Sequence, residues 1–206
     1  MRRVLALLGM AALAFLTVQP TASIAQSEPE AGPAIFGQPV INQVATRGPA
    51  GTLDQFIEIM NPSRTDAVDI SGWLVQVYSS SNTLLQVMII PEGTVLQPVG
   101  AGLPEDTFWT LASPAFTGGP VDQPGALVVD IPDNGGVALF NPGGAKIDGV
   151  AFSPGAFAAL EGAPLVPQLA SLDPLAPSYG RNIVGADANN NVADFKLLTR
   201  SPDTYN

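Results

Sequence analysis

The sequence predicts an all-β domain, a sandwich or barrel of many short strands. From residue 40 onward the apolar residues come in short runs, each bounded by Gly, Pro, Asn, Asp or Ser. Stretches with a helical period are few. One pair of runs, VALFN (137–141) and KIDGVAF (146–152), is joined by PGGA and reads as a hairpin.

In chain order, VINQVA (40–45) is the first predicted strand, followed by a loop through RGPAGTLD and then by QFIEIMN (55–61). AVDI (67–70) and WLVQVYS (73–79) are separated by Ser71-Gly72, where the chain turns from a short edge into a longer strand. SSSN leads into TLLQVMIIP (83–91); TVLQ (94–97), a loop and FWTLAS (108–113) follow. The Gly/Pro-rich crossing FTGGPVDQPG precedes ALVVDI (126–131), and DNGG precedes the hairpin. Residues 153–178 break the strand rhythm. Five prolines there exclude a long helix, AFAALEG allows one or two turns, and the segment is expected to pack on the sandwich as an insertion.

Residues 1–25 have the layout of a secretory signal peptide: Met1-Arg2-Arg3, an apolar run from Val4 to Val18, and Ser23 and Ala25 at the small-residue positions of a cleavage site. The run is shorter than the roughly 20 residues that span a bilayer, so no stable membrane span is expected after cleavage. Residues 26–39 read as a polar, Pro/Gly-rich linker and 40–206 as one domain. Cleavage after Ala25 removes Arg2 and Arg3, which leaves 6 basic residues against 18 acids. Such a chain repels phosphate backbones, and nucleic acid is not an expected partner. A secreted or periplasmic location follows from the leader.

The missing residue types narrow the chemistry. With no Cys and no His, thiol nucleophiles, thiolate or imidazole metal sites and every Ser-His-acid arrangement are excluded. An enzyme would have to work with carboxylates, Lys, Tyr, Ser or an oxygen-bound metal.

QFIEIMNPS (55–63), VDISGWLV (68–75), PEGTVLQP (91–98), DNGGVALFNPGGAKIDGVAF (133–152), SYGR (178–181) and the closing RSPDTYN follow one another in an order that resembles the lamin tail domain family in its bacterial, exported form. That family's pattern runs FIEI-x-NPS, V-D-L-S-G-W, P-x-G-T-x-L, a hairpin, and a terminal PG-x-x-N. The resemblance spans roughly 40–206. The chain departs from it in a longer 99–107 loop, in Pro202-Asp203 at the terminal PG, and in the 153–177 insertion. The resemblance implies an immunoglobulin-like β-sandwich with no shared catalytic centre. Animal lamins use the domain for nuclear contacts on basic surfaces, a role that the acidic charge here does not support.

Four features are candidate sites. Alternation puts Trp73, Val75 and Val77 on one apolar face, so Trp73 reads as core. Phe108-Trp109 point to opposite faces, with burial against the 153–178 insertion as the expectation. Glu58 lies between Phe56 and Met60, apolar neighbours that would raise its pKa and suit it to act as an acid, but with no second carboxylate nearby in sequence to form a catalytic pair it reads as an outward-facing strand residue. Asp187, Asn189, Asn191 and Asp194 place oxygen atoms at the short spacing calcium favours. Val192 and Leu198 stand where an EF-hand needs Gly and Glu, so that loop would be of another kind, and turn structure is the competing explanation.

The expected function is a non-catalytic exported domain that contacts a protein or cell-envelope component and needs no cofactor. The alternative is a calcium- or carbohydrate-dependent binding module using Trp109 and the 187–194 loop. A hydrolase built on acidic residues or an acid-bound metal is the third reading.

Overall fold

The computed structural model describes residues 37–119, 121–182 and 185–205. The predicted leader and most of the linker lie outside these residues. Among the described residues no helix is long and apolar enough to cross a membrane.

Two antiparallel sheets form the body. Strands β1 (Val40–Ala45), β2 (Phe56–Met60), β7 (Phe108–Ala112), β10 (Pro177–Arg181) and β11 (Phe195–Thr199) make a five-stranded sheet in the order β11-β10-β1-β2-β7. Strands β4 (Leu74–Tyr78), β5 (Leu84–Ile89), β8 (Gly136–Phe140) and β9 (Lys146–Ala151) make a four-stranded sheet in the order β5-β4-β8-β9. A two-residue ribbon pairs β3 (Val68–Asp69) with β6 (Val95–Leu96).

Alternating residues of both sheets meet in one core. Ile41, Val44, Ile57, Ile59 and Leu111 come from the five-stranded sheet; Val75, Val77, Val137, Leu139 and Val150 come from the other. The fold is therefore an all-β sandwich. Trp73 is half-buried against this core, as its alternation predicts. At Ser71-Gly72 the chain makes a turn: Gly72 has φ +70°, and the Trp73 amide donates to the Ile70 carbonyl at 3.1 Å. The left-handed backbone explains the glycine.

Part of each outer face is covered as well. On the four-stranded sheet Tyr78, Ala138 and Ala151 pack against Ala156 and Ala159, so the Pro/Ala-rich segment is laid onto the sandwich. Glycines let it come that close. A Cβ on Gly149 would lie 2.4 Å from the Ala159 carbonyl oxygen, and one on Gly136 2.7 Å from the Ala159 Cβ. Gly149→Ala is expected to push this segment off β9 and to cost about 1–3 kcal/mol, read as a lower urea midpoint at unchanged m-value.

Three expectations need correction. ALVVDI is not a strand: Leu127 and Ile131 are buried in the core, while Val128 and Val129 are exposed. Side-chain amides replace the missing ladder. Gln86 Oε1 accepts from the Val128 and Val129 amides, and Gln55 Oε1 accepts from the Ile131 amide. Second, β10 and β11 extend the five-stranded sheet beyond β1, a part of the chain with no predicted strand. Third, Phe108 is not buried by the 153–178 segment. Phe108 joins Val40 and Met60 beneath Tyr205 on the outer face, while Trp109 faces inward against the sandwich core.

Candidate functional site

A cleft of about 390 Å³ opens where β6 and its preceding turn approach the start of β7. Its lining includes Glu92, Glu105, Asp106, Asp122, Phe108 and Trp109, and no Lys or Arg. Turn chemistry places the acids. Gly93, at φ +82°, donates its amide to Ser71 Oγ, and the Thr94 hydroxyl donates to the Pro91 carbonyl, so Glu92 sits at the apex of a tight turn. Asp106 accepts from the Leu103 amide at 3.1 Å within a short 3-10 turn, Pro104–Thr107. Asp122 accepts from the Thr110 amide at 2.7 Å, and partial burial raises its pKa above the ordinary carboxylate range. The Trp109 Nε1–H is buried and has no hydrogen-bond partner.

Glu58 pairs with Thr110 of β7, and here the expectation from the sequence fails. It faces outward from the core but is 0% exposed, because the C-terminal segment lies over it. A bulge in β1 brings two amides to one carboxylate: the pairing passes from Ile41–Ile59 to Gln43–Glu58, leaving Asn42 extra. Asn42 Nδ2 then donates to Glu58 Oε1 at 2.7 Å and Gln43 Nε2 at 3.4 Å. The Asp203 amide donates to Oε2. Thr110 Oγ1 lies 3.3 Å from Oε2 and donates at 2.7 Å to Asp203 Oδ1. Burial outweighs these donors and pushes the Glu58 carboxyl up to about 8. Burial also raises Asp203. The fold thus brings Asp203, the second carboxylate that the local sequence lacks, to Glu58 through Thr110, with Glu58 fully buried.

The polar run 185–195 folds around an arginine. Arg181, at the end of β10, is 0% exposed and spends its donors in several directions. Nη2 contacts both oxygens of Asp148 on β9, at 2.7 and 2.9 Å; Nε donates to the Ile41 carbonyl and Nη1 to the Ala186 carbonyl. Nη1 also lies 3.2 Å from Asp194 and 3.6 Å from Asp187, and the guanidinium stacks 4.4 Å above the Phe195 ring.

Of the four predicted ligands, Asp187 and Asp194 converge on this cation. Asn191, in the four-residue helix α1 (Asn191–Asp194), turns its side chain instead to the Ala151 amide and the Gly149 carbonyl of β9. Asn189, at φ +53°, donates its backbone amide to Asp187 Oδ1. Glu161 joins from the inserted segment: single oxygens of Asp148, Glu161 and Asp187 all lie within 4.8 Å of one another. Burial first, and then the neighbouring Asp148, raise the Glu161 pKa. Asp194 is raised by burial as well, against the opposing pull of Arg181.

Sequence reasoning missed Arg181, Asp148, Glu161 and Asp203. Arg181 closes SYGR and Asp148 sits in KIDGVAF, so both lay inside the motifs of the resemblance, but neither carries a local sign of burial. No family model matches the chain, and no curated protein is significantly similar to it.

Proposed function

We propose that the chain is an exported, non-catalytic β-sandwich domain of the lamin-tail-like, immunoglobulin-like kind that recognises a protein or envelope component through the acidic cleft. The order of motifs from FIEIMNPS to SYGR supports the family reading, and the leader-like residues 1–25 support export. The observation that carries the binding role is the cleft itself, with four carboxylates beside Trp109 and no cation in its lining. Such a surface favours a partner bearing exposed Lys or Arg side chains, drawn in by charge and held against an aromatic residue. Support for a non-catalytic reading comes from the strongly perturbed Glu58, whose Oε1 accepts from Asn42 of β1 and whose Oε2 accepts from the Asp203 amide, so that it ties the C-terminal segment to the sheet.

The test is calorimetric titration of the mature chain with a short lysine-rich peptide. Binding is expected to weaken about tenfold or more in Glu105→Gln/Asp106→Asn and to fall as salt rises. A control pair of equal charge, Asp66→Asn/Asp130→Asn, is expected to leave it nearly unchanged. Equal losses in the two pairs would reduce the effect to net charge and remove the cleft from the account. A carbohydrate is the second reading, favoured by carboxylates flanking a tryptophan in the same cleft. A glycan panel read by tryptophan fluorescence, with loss in Trp109→Ala, would replace the first reading with it.

A further inference from the structure

The cluster around Arg181 is short of positive charge. Asp148, Glu161, Asp187 and Asp194 bring four carboxylates to one buried region, met by two cations, Arg181 and Lys146. Buried carboxylates are rarely left uncompensated, because desolvation of each costs several kcal/mol unless a partner is present.

Two buried oxygens at this place have no donor. Glu161 is 6% exposed; its Oε1 meets Lys146 Nζ at 3.2 Å, but its Oε2 meets nothing. Asn190 is 8% exposed and its Oδ1 is likewise unpartnered. Asn190 packs beside Glu161, since a Cβ on Gly162 would fall 2.7 Å from the Asn190 Cγ, and the Asn191 amide donates to the Glu161 carbonyl at 2.9 Å. Both orphans are acceptors, and what an acceptor lacks is a cation or a donated proton.

We infer that Asp148, Glu161 and Asp187 form a binding site for one divalent cation, calcium by the all-oxygen character of its ligands. Single oxygens of the three lie within 4.8 Å of one another, so an ion held by Glu161 and Asp187 would sit in the field of Asp148. Glu161 is the open ligand. Asp187 receives its contacts from Asn189 and Arg181 on Oδ1, so Oδ2 is the oxygen left for the ion. Asp148 is engaged on both oxygens by Arg181 and by the Ile41 and Gly149 amides, and acts mainly through its charge. The ion would tie the inserted segment, through Glu161, to β9 and to the loop after β10. This ligand set shares only Asp187 with the four residues singled out by sequence spacing. It is also independent of the acidic cleft.

The experiment is titration of the chelator-stripped mature chain with calcium chloride and then magnesium chloride, by calorimetry and by melting temperature. One calcium per chain is expected, with a melting temperature several degrees higher at saturation. Glu161→Gln and Asp187→Asn should each weaken binding about tenfold or more. Asn189→Gly, which keeps the left-handed backbone accessible, should leave it unchanged, whereas Lys146→Met should tighten it by removing a competing cation. In chelator Glu161→Gln should melt no lower than the parent chain, since the amide removes a buried charge. If that variant does not fold, Asp187→Asn and Lys146→Met decide. No heat and no melting shift at millimolar calcium would overturn the inference and leave a proton on Glu161 as the compensating charge. Binding that survives both Glu161→Gln and Asp187→Asn would overturn it too.

Discussion

Arg181→Leu is expected to lose about 3–5 kcal/mol of stability, the largest effect of any single change considered. Leucine fills part of the space but leaves Asp148, Asp187 and Asp194 facing one another without the guanidinium between them. Asp148 is 0% exposed and cannot recover water in place of its partner. The Ile41 and Ala186 carbonyls lose donors as well. These contacts join β10 to β9 across the sandwich and hold the 186–194 loop, so the loss is expected to be cooperative rather than a local fraying. Arg181→Lys should recover little, because an ammonium cannot span Asp148, Ile41 and Ala186 at once. Urea unfolding followed by far-UV circular dichroism checks both variants. A loss under about 1 kcal/mol for Arg181→Leu would mean that the acids find water or protons without cost, contrary to the burial described.

The second large effect is a pH dependence centred on Glu58. Its folded-state pKa is raised to about 8 from an ordinary 4.5, so the folded chain holds a proton that the unfolded chain releases. The associated stability is present in full below about pH 4.5, declines as pH rises through the interval, and is gone above about 8. Glu58→Gln keeps the shape and removes the titration. The variant is expected to match the parent chain near pH 5 and to exceed it by a few kcal/mol near pH 8.5. Glu161 and Asp203 shift in the same direction, so the difference between the two chains, rather than the parent curve alone, isolates Glu58. Chemical denaturation at three pH values measures it. A gap that stays constant with pH would show that Glu58 ionises in place, supported by its amide donors.

Where these two sites lie also explains what the sequence could reveal. Strand β1 coincides with the predicted VINQVA, and the hairpin of β8 and β9 follows VALFN-PGGA-KIDGVAF to within a residue, because alternation and turn composition are local signals. β10 gave no such signal: PSYGR begins with proline and carries one glycine and a buried arginine, and it pairs because β1 and β11 flank it. ALVVDI misled in the opposite direction, with strand-like composition but glutamine side chains as its hydrogen-bonding partners. Glu58 looked exposed because its cover, the Ser201–Asp203 segment, lies some 145 residues away in sequence. The 187–194 run did mark a place where charge converges, but the cation at its centre, Arg181, precedes it, and Asp148 and Glu161 come from other parts of the chain. Long-range pairing of this kind has no signature in spacing.

The cleft is the centre of the functional account, and the two tryptophans allow it to be tested at one atom. Trp109 lines the cleft, whereas Trp73 packs against the core and is absent from the lining. Nitrogen-15 spectra of residues 26–206 should therefore show two indole N–H signals, assigned by Trp109→Phe. On titration with a lysine-rich peptide the account predicts that the Trp109 signal shifts progressively and saturates while that of Trp73 stays in place. A titration in which Trp109 does not move, while binding is seen by calorimetry, would contradict it and place recognition elsewhere on the sandwich.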